Sequence, residues 1–184
     1  MNIIETDRFI IRNWTNEDAI GLINAKNNPS IAKGLSEMNL YPYSLEYAIE
    51  HIKLCQKENN SNFTITINNK IAGEIGSVFY YKPLIASINC WLSVIYQGKG
   101  IATDAVNIFT EYIFKKYPVY VMGAQVLEWN KKSAEVLERA GYKLEFTRPA
   151  RNPDTDEIAR VMQYSKTNFG YIFGKRVSGN QRKS

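Results

Sequence analysis

The sequence predicts a single α/β domain with a mixed sheet, its elements running in the order βααβββαβαββ. Three observations carry this expectation. Segments with strand-like alternation, or with β-branched and aromatic content, stand at 8–12, 63–79, 86–93 and 119–127. Apolar residues between them recur with helical period, most clearly at Ile101, Ala105, Ile108, Phe109, Tyr112 and Ile113. A length of 184 residues with 45% hydrophobic content suits one core rather than several.

Arg8-Phe9-Ile10-Ile11-Arg12 alternates as a first strand. Thr15 with Asp18 three residues later has the pattern of an N-cap and an acidic first turn, opening a helix from about Asn16 to Asn27. The segment 28–44, rich in Asn, Pro, Gly and Tyr, reads as a loop with room for one helical turn, after which Ser44 caps a helix through Leu45, Ile49, Ile52 and Leu54. Phe63 to Ile67, the turn Asn68-Asn69 and Lys70 to Phe79 form strand, tight turn and strand. A further strand, about Ala86 to Ser93, leads into a glycine loop and a helix that ends near Lys116. Past Pro118 the run to Leu127 is a buried strand, and Asn130 opens a short helix, Lys131 to Arg139, stopped by Gly141. Two last strands, about 142–148 and 157–165, flank the turn Asn152-Pro153-Asp154.

Composition excludes several classes of function. The N-terminus has no apolar run behind a basic start, and no segment approaches the roughly 18 apolar residues of a bilayer span, so a soluble cytoplasmic protein without membrane contact is expected. Cys55 and Cys90 fit no ligand spacing, and with His51 as the one histidine neither a zinc site from soft ligands nor a disulfide framework is expected. The net charge of +5 is concentrated, since six basic residues and no acid follow Glu157, four of them in the last ten residues. The basic character therefore belongs to a tail, 168–184, beyond a domain at 1–167. Its aromatics Phe169, Tyr171 and Phe173 beside basic residues would suit RNA or an acidic partner, but a frayed end or packing on the domain is the favoured reading, and nucleic acid is not expected as a partner.

The loop at 97–103 carries the chemistry. Gly98 and Gly100 let the backbone approach a ligand closely, and the first-turn N–H groups of the following helix lack intrahelical partners, so strand, glycine loop and helix together form an anion cradle suited to a diphosphate. Two rival diphosphate sites fail on residues: G-x-x-x-x-G-K-S/T is absent, and a dinucleotide fingerprint would place glycine where this chain has Thr103.

Gln97-Gly98-Lys99-Gly100-Ile101-Ala102 resembles the Q/R-x-x-G-x-G/A acetyl-CoA motif of the GNAT superfamily of N-acetyltransferases, at the family's position between strand and helix. Asn130-Lys131-Lys132-Ser133 with Val136-Leu137-Glu138-Arg139-Ala140-Gly141-Tyr142 resembles the N-x-x-S-x-x-V-L-E-K/R-x-G-F/Y segment of its ribosomal-protein N-terminal acetyltransferase (RimJ/RimL-like) branch, as do Leu40 to Ser44 and Cys90-Trp91-Leu92. The resemblance spans roughly residues 5 to 166. It implies a GNAT fold with a splay between the strand at 86–93 and the strand at 119–127, and acetyl-CoA as cosubstrate. The pantetheine arm would contact the main chain of Trp91, Leu92, Ser93 and Val94, the pyrophosphate would rest on Gln97, Gly98, Lys99, Gly100, Ile101, Ala102 and Thr103, and the thioester would point to Asn130 and Ser133.

Acetyl transfer passes through a tetrahedral intermediate, which needs an oxyanion donor, a base and help for the departing thiolate. The resemblance implies a main-chain donor, for which Val94 N–H is the nominee. Many of these enzymes protonate the thiolate with a tyrosine, but its place is taken here by Leu137, so the Ser133 hydroxyl is the candidate; a plain first-turn serine, and a plain N-cap at Asn130, are the alternatives. No base stands out: Glu74 and Glu37 are the candidates, with solvated surface carboxylates the favoured reading of both, and His51 reads as a surface side chain. Cys90 reads as a buried strand thiol rather than an acyl carrier. Tyr41 and Tyr43 either line the acceptor site or pack on the sheet.

The amine acceptor is expected to be a peptide or protein N-terminus, because an α-amino group of pKa about 7.7–8.0 needs less help from a base than a lysine of pKa about 10.4. A small-molecule amine (polyamine, aminoglycoside or amino acid) and a module that binds acetyl-CoA without turnover are the alternatives. Whether the chain forms a homodimer is open.

Overall fold

In the computed structural model, which describes residues 2–57, 61–80, 84–152 and 155–170, the chain runs β1 (Asn2–Glu5), β2 (Ile10–Arg12), α1 (Ala19–Lys26), α2 (Pro29–Leu35), α3 (Leu45–Cys55), β3 (Asn62–Ile67), β4 (Lys70–Tyr80), β5 (Ile85–Leu92), α4 (Ile101–Lys116), β6 (Val121–Leu127), α5 (Lys131–Arg139), β7 (Lys143–Arg151) and β8 (Ile158–Thr167). The expected order holds with two additions, β1 and α2. The first pairs antiparallel with β2. The second corrects the loop reading of 28–44: Asn28 caps the Ser30 N–H and Pro29 takes the first helical position, where its missing N–H costs nothing. Pro153 and Asp154 of the expected turn, and Tyr171, Phe173 and the basic residues Lys175, Arg176, Arg182 and Lys183 of the expected tail, lie outside the described residues. Asn168 is tied to the body through the Tyr120 and Val119 carbonyls. No helix among the described residues is long and apolar enough to cross a membrane.

The eight strands form one sheet in the order β1-β2-β3-β4-β5-β6-β8-β7. The β3–β4 hairpin turns on Asn68 and Asn69, both at positive φ (50° and 61°), the conformation a two-residue turn requires and asparagine tolerates. Next to it Ile65 pairs with Gly73 and Thr66 with Ile71, so Ala72 is an extra residue, a bulge. The bulge resets the alternation of β4, and Ile71 and Glu74 share one face while Ile75 takes the other.

β4 and β5 are paired along their length, from Gly73–Leu92 to Tyr80–Ile85. On its other edge β5 meets β6 in the sheet's parallel pairing, which extends only through Ile85–Val121, Ala86–Met122 and Ser87–Gly123. Past those three pairs the strands part, and this is the expected splay. Gln163 of β8 donates to the Ala124 carbonyl (3.3 Å) just where β6 leaves its neighbour. One edge of β5 is therefore fixed while the other, from Ile88 onward, has no strand partner among the described residues.

Two apolar cores flank the sheet. On the α4 and α5 side Ile65, Ile75, Leu92, Phe109, Met122 and Tyr164 are buried, and the Thr110 and Tyr142 hydroxyls meet at 2.6 Å, which ties α4 to the start of β7. On the α1 to α3 side Trp14, Leu22, Ile52, Tyr43, Ile71 and Trp91 close over the other face. Trp91 and Leu92, adjacent on β5, thus enter opposite cores, and the end of β5 is the seam between them.

Candidate active site

After Leu92 the chain makes one 3-10 turn, Val94–Tyr96, and enters the glycine loop. Gln97 holds the turn to the strand by donating its side-chain amide to the Leu92 carbonyl (2.9 Å), and Lys99 Nζ donates to the Ile95 carbonyl (2.8 Å). Gly98 and Gly100 have φ of 72° and 77°, the left-handed region that side chains resist. A Cβ on Gly98 would meet no protein atom within 4 Å, so the space beside it is open. Gly100 is the N-cap of α4 and no side chain caps the helix. The N–H groups of Ile101, Ala102 and Thr103, at the positive end of a 16-residue helix, therefore have no side-chain cap among the described residues.

Arg8 is a part of this loop that the sequence did not reveal. Its guanidinium donates to the Asp104 carboxylate and to the Lys99 carbonyl, clamping the entry to β2 onto the first turn of α4. A pairing across 96 positions leaves no local signal.

Asn130 caps α5, its Oδ1 accepting from the Ser133 N–H (3.3 Å), so its capping role is realised. Ser133 is half-buried in the first turn, and Leu137 is buried one turn later, where a tyrosine hydroxyl is thereby absent. Trp91, Leu92 and Ser93 are buried, whereas Val94, at the head of the 3-10 turn, is exposed.

The carboxylates depart from expectation. Glu74, read as a solvated surface group, is 4% exposed and hydrogen-bonds His51 Nε2. His51, read as a surface side chain, is half-buried, with its ring edge-on to Trp14 at 5.9 Å. The bulge at Ala72 is the physical reason, since it turns Glu74 inward under α3. Glu37, read likewise as solvated, is half-buried and pairs with Lys26 Nζ at 2.7 Å. That ammonium is itself buried, over the rings of Tyr43 (4.5 Å) and Trp91 (5.7 Å). Tyr43 packs in the core while Tyr41 is exposed.

This polar nest lies on the α1 to α3 side of β5, opposite the helices α4 and α5. Burial, then the charge of Glu74, pushes the Cys55 and Cys90 thiols up to about 12, with Lys26 opposing at Cys55. Burial thus favours the protonated thiol at both positions. Burial, then Glu37 and Glu74, also raises the Tyr43 hydroxyl. His51 and Cys55 stand one helical turn apart on α3, and their ligand atoms lie with that of Glu74 within 4.8 Å of one another.

A family model described as an acetyltransferase (GNAT) domain matches residues 8–143. Among curated proteins, the probable N-acetyltransferase YjcK of Bacillus subtilis (strain 168) is 37% identical over 60 residues, a match spanning 33% of this chain and 33% of that protein. Among solved structures, a GNAT-family acetyltransferase from Bacillus anthracis superposes with a TM-score of 0.80 at 20% identity, covering 91% of this chain and 98% of the other. A ribosomal-protein-S5-alanine acetyltransferase from Vibrio fischeri gives 0.76 at 22% identity, covering 93% and 98%. A spermidine N-acetyltransferase from Vibrio cholerae, in complex with CoA and spermine, gives 0.76 at 19% identity, covering 91% and 99%. At such identities the structural likeness is one of fold. The family model spans most of the sequence, including the glycine loop and the splayed strands, and the chain belongs to the GNAT acetyltransferase family, whose members are acetyl-CoA-dependent acyltransferases.

Proposed function

We propose that this protein moves an acetyl group from acetyl-CoA directly to a primary amine, and that the amine is the α-amino group of a peptide or protein N-terminus. The observation that carries the reading is the end of β5, which joins the uncapped α4 N-terminus to the buried Glu74–His51 pair while its edge toward β6 stands open.

In this reading the pyrophosphate rests on the backbone of 98–103 and the pantetheine arm takes the open edge of β5 beside Trp91 to Val94. The amine approaches from the α1 to α3 side. Its nitrogen attacks the thioester carbonyl carbon and its proton passes to the Glu74 carboxylate. The Val94 N–H stabilises the oxyanion, the carbon–sulfur bond breaks, and the Ser133 hydroxyl donates to the departing thiolate.

The acceptor assignment draws on charge. A polyamine site needs surplus carboxylate, but Glu37 is paired with Lys26 and Glu74 is engaged in a hydrogen bond with His51. An α-amine that is substantially neutral near pH 7.5 needs one base and no acidic trough. Incubation with acetyl-CoA and a panel of acceptors, read by mass spectrometry, tests this. A peptide with a free N-terminus is expected to be acetylated faster than the same peptide N-blocked with an internal lysine, and faster than spermidine or an aminoglycoside. Preference for any of the latter would overturn the acceptor assignment.

A further inference from the structure

His51, Cys55 and Glu74 make up a group of which the transfer chemistry uses only the carboxylate. We propose that they bind one zinc ion, through His51 Nε2, Cys55 Sγ and a Glu74 carboxylate oxygen with water in the fourth position, and that occupation switches the enzyme off.

One of the three ligand pairs already has the separation that a zinc centre sets. The Cys55 Sγ to His51 Nε2 separation is 3.5 Å. A tetrahedral ion with bonds of about 2.3 Å to sulfur and 2.0–2.1 Å to nitrogen sets that distance at roughly 3.5 Å. The His51–Glu74 contact is a hydrogen bond and has to open to roughly 3.3 Å to admit the ion. That is a small motion at the end of a glutamate side chain. The three ligand atoms lie within 4.8 Å of one another, and an ion would draw the Cys55 sulfur and the Glu74 oxygen to roughly 3.6 Å.

Charge and donor type agree with the geometry. A thiolate and a carboxylate neutralise a divalent ion, so the filled site is uncharged overall, which suits a half-buried place beside the Trp14 ring. Sulfur and imidazole select zinc over magnesium and calcium, which prefer oxygen. His51 is half-buried rather than sealed, which gives the ion a way in. Binding breaks one bond, the Cys55 S–H, and its proton goes to solvent. Three protein ligands and a water are the arrangement of an open zinc site, here one that removes Glu74 from the reaction.

Ion binding stands without the functional reading; the inhibition rests on Glu74 acting as base. Purified protein freed of metal by a chelator is titrated with Co²⁺, whose bond to a thiolate gives a charge-transfer band in the near ultraviolet. The expected result is a band that saturates at one equivalent, is displaced by Zn²⁺, is lost in Cys55→Ser and weakened in His51→Gln, and persists in Cys90→Ser. No band in the native protein, or a band that survives Cys55→Ser, overturns the site. In parallel, saturating Zn²⁺ is expected to lower acetyl transfer by about a hundredfold or more, the loss of a general base, with recovery on adding chelator. A saturated cobalt band with undiminished transfer would leave the site standing and contradict the role of Glu74 instead.

Discussion

Glu74 on β4 faces Trp91 on β5 directly across the antiparallel ladder, and its carboxylate is turned under α3 onto the His51 imidazole. The base candidate and the strand proposed to carry the coenzyme are thereby held in one rigid element. Glu74→Gln keeps the size of the side chain and most of its hydrogen bonding but removes the proton acceptor. Turnover is expected to fall by about 10²–10⁴ with acetyl-CoA affinity within a few-fold of the native value. Rate measurements paired with calorimetric titration check this, and an unchanged kcat removes Glu74 from the chemistry.

Ser133 and Asn130 separate into two roles that can be measured independently. Ser133→Ala removes one hydrogen bond to a developing anion, worth about 1.5–3 kcal/mol, so kcat is expected to drop by roughly 10- to 100-fold with normal coenzyme binding. Asn130→Ala removes the α5 cap and costs about 1 kcal/mol of stability, read as a lower melting temperature. If Ser133→Ala changes only the melting temperature, its role is structural.

The glycine loop makes a prediction with opposite weights at its two positions. Gly98→Ala and Gly100→Ala each place a side chain in the left-handed region, at about 1–2 kcal/mol. Gly98 faces open space, so its new methyl meets the ligand rather than the protein, and acetyl-CoA affinity is expected to weaken by about tenfold or more. At Gly100 the methyl would lie 3.8 Å from the Arg8 guanidinium, and the loss is expected mainly in stability.

Asp18 supplies a pH-dependent contribution to stability. Burial works to raise its carboxyl, but the Arg12 guanidinium, at 2.7 and 2.8 Å, and the Thr15 N–H, at 2.8 Å, outweigh it and hold the group below the usual range. Because the folded pKa is depressed, the stabilisation is fully present above the unfolded value of about 3.9 and is lost as pH falls through the folded value. Asp18→Asn is expected to cost about 2 kcal/mol near pH 7, and the gap to the native protein should begin to narrow below about pH 4 and close as pH falls through the depressed folded value, read in denaturant titrations.

What was legible in the sequence was local. The helices Ile101–Lys116 and Lys131–Arg139 have the boundaries their period and caps announce, and the Asn68-Asn69 turn lies where its residues require it. α2 carried a readable signal in Asn28-Pro29 that the glycine- and asparagine-rich composition obscured. Pairings between distant elements were not legible. Arg8 with Asp104, Lys26 with Glu37 and His51 with Glu74 form only once the sheet has brought their elements together. The bulge at Ala72 decides which way Glu74 points, and nothing in an apolar run such as Lys70 to Phe79 marks it. The His51–Cys55 spacing of one helical turn was visible, but its third member came from β4.

The central claim is that the β5–α4 junction holds acetyl-CoA, and thermal unfolding in the presence of acetyl-CoA, CoA, NAD or ATP tests it most directly. A ligand at 100 times its dissociation constant stabilises by about 2.7 kcal/mol. For a domain of this size that is roughly 2–4 °C per kcal/mol, a readily measured rise. The account predicts that rise with acetyl-CoA and CoA alone, and its fall to about half or less in Gly98→Ala at the same ligand concentration. Equal melting temperatures with and without saturating acetyl-CoA would contradict it and reduce the glycine loop to a turn.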